Sequence, residues 1–269
     1  MVNALSKATQ AALGFDAFCL NKKFLVFNLV NRNLKIKYRR SFLGFFWTIL
    51  SPLATSMIYY FVFKVILKVD RPHYLPFILC GVMPWSFFAQ SITEATESIV
   101  NNQGLISKIP VPLQAFPLVV SITNFSTLLF ALPIILLLAW TSGVTPSLNT
   151  LLVLPYFLAL LLISYALGTV LAVAYVYLRD LKHALGLLLQ IWFYATPIIY
   201  DKNMIPEKYK FILVLNPVGS IFVGIQESVL GVAGNTTMAL LGTLFWTLFS
   251  LLLLRLTFNR FRTGLPEVL

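Results

Sequence analysis

The sequence predicts an all-α membrane protein with six transmembrane helices, an interfacial amphipathic helix before them, and two short re-entrant helices before the last span. Three observations carry this reading. The first is composition: of 269 residues, 59% are hydrophobic and 11% charged, against about 25% charged in a soluble domain, and mean hydropathy is +0.86. The second is spacing: six apolar stretches contain no Asp, Glu, Lys or Arg, and about 20 such residues suffice to cross the hydrocarbon core as a helix. The third is asymmetry: the formal net charge is +11, and most cations fall at alternate ends of those stretches.

Residues 1–30 read as a cytoplasmic N-terminal segment without a cleavable signal, because the apolar run 11–20 is short, is interrupted by Asp16 and lacks a small-residue cleavage pattern. The rest of the chain, 31–269, reads as one transmembrane domain. It opens with an interfacial helix over 31–44. Arg32, Lys35, Lys37, Arg39 and Arg40 abut an apolar run beginning at Phe42, while Leu34, Tyr38, Phe42 and Phe45 share a narrow helical arc. A basic helix with an apolar stripe lies at a membrane surface, and Gly44 allows the bend into the first span. The same cations also fit the positive-inside rule alone.

The first span is 45–63, uncharged until Lys64, and the second is 74–93, uncharged until Glu94. No charged residue lies between Lys108 and Arg179; the turn sequence TSGVTP at 141–146 divides that stretch into spans at 115–140 and 148–178. The fourth is long enough to tilt. The fifth, 184–200, is short, and the sixth, 238–254, ends at Arg255. Of the 20 Lys and Arg residues, Lys64, Lys68, Arg71, Lys202, Lys208 and Lys210 fall on one side and all others on the opposite side. Both termini are therefore predicted to be cytoplasmic, with inner loops at 94–114 and 179–183 and outer loops at 64–73, 141–147 and 201–237.

The last outer segment begins Asp201-Lys202-Asn203, continues through apolar runs at 211–215 and 218–230 separated by Asn216-Pro217, and closes at Gly231. These runs are too short to cross twice, so they suit two re-entrant helices sheltered by protein; an amphipathic loop lying on the outer surface is the other reading. Prolines recur in or beside the spans (Pro52, Pro76, Pro84, Pro117, Pro133, Pro155, Pro197), which fits kinked helices. The two halves show no matching pattern of an inverted-repeat carrier.

Several chemistries are excluded. An ion-coupled carrier buries ionisable residues in its spans, yet the span cores hold none; Glu94 and Glu97 sit at a membrane edge, Glu227 in the outer segment, and His73 and His183 in loops. Cys19 and Cys80, the two cysteines, suggest neither a disulfide framework nor a metal site. No G-x-S-x-G and no Gly-x-x-x-x-Gly-Lys-Ser/Thr phosphate loop occurs. The chain is therefore not expected to be an enzyme, and any pumping draws its energy from another polypeptide. The spans are instead rich in aromatic residues. Among them Tyr59, Trp85, Trp192 and Tyr194 are candidates to line a sugar path, since aromatic faces stack on pyranose rings; each also fits the interfacial aromatic belt.

Four motifs resemble the membrane-spanning permease subunits of bacterial polysaccharide-exporting ABC transporters, the family that moves O-antigen, capsule and teichoic acid chains. The first is KIKYRRSFLGFFWTILSP at 35–52, similar to a basic-aromatic signature with an R-x-S-x-L-G-x-x-W core. The second is 102–117, with Leu105-Ile106-Ser107-Lys108-Ile109-Pro110. The third is Tyr177-Leu178-Arg179-Asp180-Leu181-Lys182-His183, and the fourth Ala195-Thr196-Pro197-Ile198-Ile199-Tyr200 followed by Met204-Ile205-Pro206 and Leu215-Asn216-Pro217. The likeness runs from about residue 28 to the C-terminus.

The resemblance implies a homodimer of six-span subunits in the bacterial inner membrane, joined to two cytoplasmic nucleotide-binding subunits that carry ATP and Mg; no cofactor is implied in this chain. It implies that Arg39, Arg40 and Lys37 meet the diphosphate of an undecaprenyl-linked polysaccharide, and that Asn101, Gly104, Leu105, Ile106, Lys108, Arg179 and Asp180 dock on the ATPase. Pro206, Asn216 and Pro217 would belong to a cap at the channel exit. An ABC exporter permease for small lipids or drugs is an alternative within transport. A non-transport membrane subunit of envelope glycan synthesis is the alternative outside it.

Overall fold

The structure, a computed structural model, describes residues 23–38, 46–107, 111–209, 211–231 and 236–261; Arg39, Arg40, Gly44 and Lys108 lie outside them. The described residues are mostly helical and contain no strand. Five of the helices are long and apolar enough to cross a membrane. The end of the bundle beside the N-terminal helix is termed proximal, and the opposite end distal.

The basic helix α1 (Lys23–Tyr38) begins earlier than the sequence pattern placed it. The extra turns are held by packing: Leu25 rests on Val111, Ala115 and Phe116, and Leu29 is buried. Phe24, Phe27 and Ile36 remain exposed beside the bundle. The first span is α2 (Trp47–Tyr60), extended by a π-helical turn over Phe61–Ile66. From within that turn the Lys64 ammonium donates to the carbonyls of Val69 and Arg71, both at 3.3 Å, folding the chain back.

Next comes α3 (Tyr74–Ser98), the centre of the bundle, with 78% of its most apolar window buried against 11% for the first span. It is apolar on nearly every side, which is what a helix enclosed by others requires. It packs on α2, on α4 (Ala115–Thr141) and on α5 (Val153–Tyr177), which a short 3-10 segment at Leu148–Leu152 precedes. A Cβ added at Gly168 of α5 would stand 2.7 Å from the Ala95 Cβ, so the α3–α5 crossing depends on that small residue. α3 also extends past the predicted loop boundary at 94, which puts Glu94 and Glu97 on its last turns.

The fifth predicted span, 184–200, needs correction. The helix there, α6 (Leu181–Ala195), has 15 residues, about 22 Å of rise against a hydrocarbon core of about 30 Å. Pro197 stops it: the residue before a proline is pushed out of the helical region, and Thr196 is extended, with φ −104° and ψ 137°. Residues 196–200 are non-helical and Thr196, Ile198 and Ile199 are buried. Beyond them lie α7 (Phe211–Leu215) and α8 (Gly219–Leu230), the two short helices expected there. Most of α8 is buried against α3, α5 and the last helix, α9 (Thr236–Phe261), rather than lying on the surface.

Candidate functional site

The break after α6 organises the distal half of the molecule. An unwound segment inside a membrane bundle leaves backbone groups that need partners, and side chains from α3, α8 and the turn between α7 and α8 supply them. Gln226 of α8 donates to the Pro197 carbonyl at 3.0 Å, and the Tyr74 hydroxyl to the Ile199 carbonyl at 2.7 Å. Asn216 donates to Thr196 Oγ1 at 2.8 Å and to the Ala195 carbonyl at 3.3 Å, while its own Oδ1 accepts from Trp192 Nε1 at 2.9 Å and from the Val218 amide at 3.1 Å. Gly81 admits the segment to α3, since a Cβ there would sit 2.7 Å from the Ile198 carbonyl oxygen.

Below the break, one face of α6 presents Leu185, Leu189 and Phe193 to the bundle at helical spacing. Thr55, Tyr59, Val82, Trp85, Ser86, Leu189, Gln190, Phe193 and Tyr194 enclose a cleft of about 280 Å³ between α2, α3 and α6. Trp85 is its floor. Its ring lies 5.6 Å from Phe193, edge-on, and 6.4 Å from Trp192. Tyr59 stacks on Phe193 at 5.8 Å, and Phe193 meets Tyr194 edge-on at 5.2 Å. The four aromatics named from sequence are thus brought together: Tyr59, Trp85 and Tyr194 line the cleft, and Trp192 backs it. Sequence reasoning passed over Phe193, Ser86 and Gln190. The signal for Gln190 was present, as an amide in an otherwise apolar stretch; Phe193 had none beyond its four-residue offset from Leu189. A lining of aromatic side chains with a few hydroxyl and amide groups suits a ligand that offers both apolar and hydroxylated surface.

A second cleft, of about 260 Å³, lies on the other flank of α2, lined among others by Trp47, Thr48, Ser51, Ser86, Gln90 and Thr127. Beneath it, at the proximal end, Lys37 of α1 donates to Glu94 at 3.1 Å and to Asn124 of α4 at 2.6 Å. Lys37 is thus turned toward α3 and α4. One turn on, Lys182 pairs with Glu97 at 2.7 Å; that hydrogen bond and the carboxylate charge raise the lysine pKa. Arg32 donates to Asn102 at 3.2 Å. Of the residues assigned to docking, Asn101, Gly104, Arg179 and Asp180 are exposed at this end, whereas Leu105 and Ile106 are half-buried, packed with Val111 and Phe116.

At the distal end two ion pairs hold the residues that follow the break. Arg71 pairs with Asp201 and Lys202 with Glu227. The Arg71 guanidinium also stands 3.7 Å above the Phe77 ring, and burial lowers its pKa. Of the residues expected at an exit cap, Asn216 is the buried hub of the break, Pro217 is half-buried beside it, and Pro206 is exposed.

A bundle with five helices long and apolar enough to cross a membrane, and a sixth, shorter apolar helix that ends before Pro197 beside an aromatic cleft, has the build of a polytopic membrane protein. The chain belongs to the ABC-2 type transporter family, which it matches over residues 25–230. It is 31% identical over 243 residues to an O-antigen export system permease protein, RfbA, of Klebsiella pneumoniae, covering 90% of this chain and 93% of the relative. A protein of the same name from Myxococcus xanthus is 34% identical over 204 residues, covering 75% and 78%. The polysialic acid transport protein KpsM of Escherichia coli is 26% identical over 225 residues, covering 82% and 85%.

Proposed function

We propose that this chain is the channel-forming subunit of an ATP-driven exporter that moves a lipid-linked polysaccharide, of undecaprenyl diphosphate type and most similar to O-antigen, across the bacterial inner membrane. The observation that carries the reading is the cleft built from Tyr59, Trp85, Phe193 and Tyr194 with Ser86 and Gln190 at its rim. It is a sugar-compatible surface in a chain similar to O-antigen export permeases along nine-tenths of its length.

In this reading both termini are cytoplasmic and the proximal end faces the cytosol. The five long helices, together with α6 and its buried extension, make up the six-segment topology, and α7 and α8 are re-entrant from the outer side. A second copy packs on the exposed apolar faces of α2 and α6, where Leu50, Met57, Ile58, Leu187, Leu188 and Ile191 have no cover within one chain. Two nucleotide-binding subunits, holding ATP and Mg, dock at α1, the loop around 101–108 and Arg179-Asp180. The lipid diphosphate meets Arg39 and Arg40, Lys37 being engaged instead by Glu94 and Asn124, and the polymer leaves past the Asn216 hub, Pro206 and Pro217.

Deleting the protein tests this. Lipid-linked polymer should accumulate on the cytoplasmic side and be missing from the surface. Normal surface polysaccharide in the deletion strain overturns the reading.

A further inference from the structure

We propose that Glu94 is the positioning residue through which α1 moves α3, so that a displacement at the proximal surface reaches the clefts beside α2. The inference rests on the reading above, in which α1 is an ATPase-docking element.

The geometry is a closed triangle across three helices. The Lys37 ammonium donates to Glu94 Oε1 at 3.1 Å and to Asn124 Oδ1 at 2.6 Å, and the Asn124 amide donates back to Glu94 Oε2 at 2.9 Å. Its corners come from positions 57 and 87 residues apart from Lys37. Asn124 is fully buried, while the Lys37 and Glu94 side chains keep 20% and 39% exposure. A fourth group, the Gln90 amide, donates to Glu94 Oε1 at 3.0 Å. Gln90 lines the cleft beside α2. The carboxylate therefore sits between the basic helix and a cleft wall, with hydrogen bonds to both.

Apolar side chains would hold α1 to the bundle equally well, since ion pairs removed from water seldom outperform packed hydrocarbon. What the polar triangle adds is direction. A charge-assisted bond fixes distance and angle, whereas an apolar contact lets one helix slide along another. α1 is fixed at a second point, where Arg32 holds Asn102 just past the end of α3. α1 thus packs on α4 and is hydrogen-bonded at two places to α3 or the residues just past its end, and it is these two bonds that would carry a displacement of α1 to α3. That helix is the most enclosed of the five long helices and bears Trp85 and Ser86, about 13 Å up its axis from Glu94.

The test uses the full chain with its co-purifying ATPase, comparing Glu94→Ala, Lys37→Glu and the exchange Lys37→Glu with Glu94→Lys. Three quantities are read: protein and complex recovered, ATP hydrolysis, and polysaccharide delivered to the surface. Glu94→Ala should leave recovery and hydrolysis within two-fold of wild type and reduce export at least ten-fold. The exchanged pair should recover at least half of export, because the Asn124 amide can turn over, its oxygen accepting from the ammonium and its NH2 donating to the carboxylate in the exchanged positions. A purely structural role would instead lower recovery and hydrolysis together with export. Wild-type export in Glu94→Ala, or failure of the exchanged pair to recover it, overturns the proposal while leaving the functional reading intact. If no ATPase co-purifies with the wild-type chain and its deletion leaves surface polysaccharide normal, both fall.

Discussion

The Trp192 indole N–H donates to Asn216 Oδ1 at 2.9 Å, tying α6 to the turn between α7 and α8. This one amide also serves Thr196, Ala195 and Val218. It is the point at which the broken helix and the two short helices become a single distal unit.

Replacing Asn216 with Ala removes all these bonds and leaves the buried Val218 amide, along with the half-buried Trp192 N–H, without its Asn216 partner. Each buried polar group so orphaned costs about 1–3 kcal/mol. Asn216→Ala should therefore lower the thermal midpoint of the detergent-solubilised protein markedly. Trp192→Phe loses one bond and keeps the ring, so its midpoint should fall by less. Equal midpoints for Asn216→Ala and wild type would show that the hub does not hold the break.

Gly81 makes an equally local prediction. An added methyl would meet the Ile198 Cγ2 at 2.7 Å and also the Ile198 carbonyl oxygen at 2.7 Å and Cα at 3.0 Å, which are backbone and cannot rotate aside. Gly81→Ala should push the 196–200 segment off α3 and strain the Tyr74–Ile199 hydrogen bond. Overpacking of this kind costs about 1–3 kcal/mol, readable as a lowered midpoint. Gly104→Ala, whose added carbon meets nothing within 4 Å, is the matched control.

The cleft separates transport from stability. Tyr194 is exposed while Trp85 is buried. Tyr194→Ala should cost under about 0.5 kcal/mol of stability and lower export several-fold. Trp85→Ala opens a cavity and should cost about 3–5 kcal/mol, so its export defect will come with reduced protein. Full export by Tyr194→Ala at normal protein level would remove Tyr194 from the sugar path.

Much of this was legible in the sequence, and the misses share one cause. Long uncharged stretches begin where long helices do at 74, 115 and 148, because crossing a membrane imposes length and polarity locally, although the helix from 74 runs past the predicted end to Ser98. The end of α6 was misjudged because apolarity continues through Ile198 and Ile199; the Thr196-Pro197 step marked the break, but partners at Gln226 and Tyr74 decided that buried non-helical backbone could persist. Glu94 was read as a loop residue at a membrane edge. Its role depends on Lys37 and Asn124, which no local pattern connects to it. The aromatics were named as a set, whereas their convergence on Trp85 is a property of how α2, α3 and α6 pack.

A charge placed in the 101–108 loop tests the docking surface. Leu105 is half-buried against Val111 and Phe116, next to exposed Gly104. Leu105→Glu should leave the chain in the membrane, because the loop lies outside the five long helices, and should uncouple ATP hydrolysis from export in the complex. Coupling unchanged at equal protein level would take this loop out of the ATPase contact.

The orientation of the bundle can be read with two cysteines. The structure puts Lys182 with Glu97 at one end of α3, and Arg71 with Asp201 near the other, so cations from the two sequence-assigned sets sit at opposite ends. Lys208 lies in the distal segment after the break, and Arg179 between α5 and α6 at the proximal end; both positions are exposed. With Cys19 replaced by Ala and Cys80 retained as a buried, unreactive thiol, Lys208→Cys should react with a membrane-impermeant maleimide in intact spheroplasts. Arg179→Cys should react only after lysis. Because a rigid bundle turns over as a whole or not at all, the reverse labelling would invert every assignment of inner and outer surface. It would put the basic helix outside, where no ATP is available, and so remove the basis for an ATPase docking on α1.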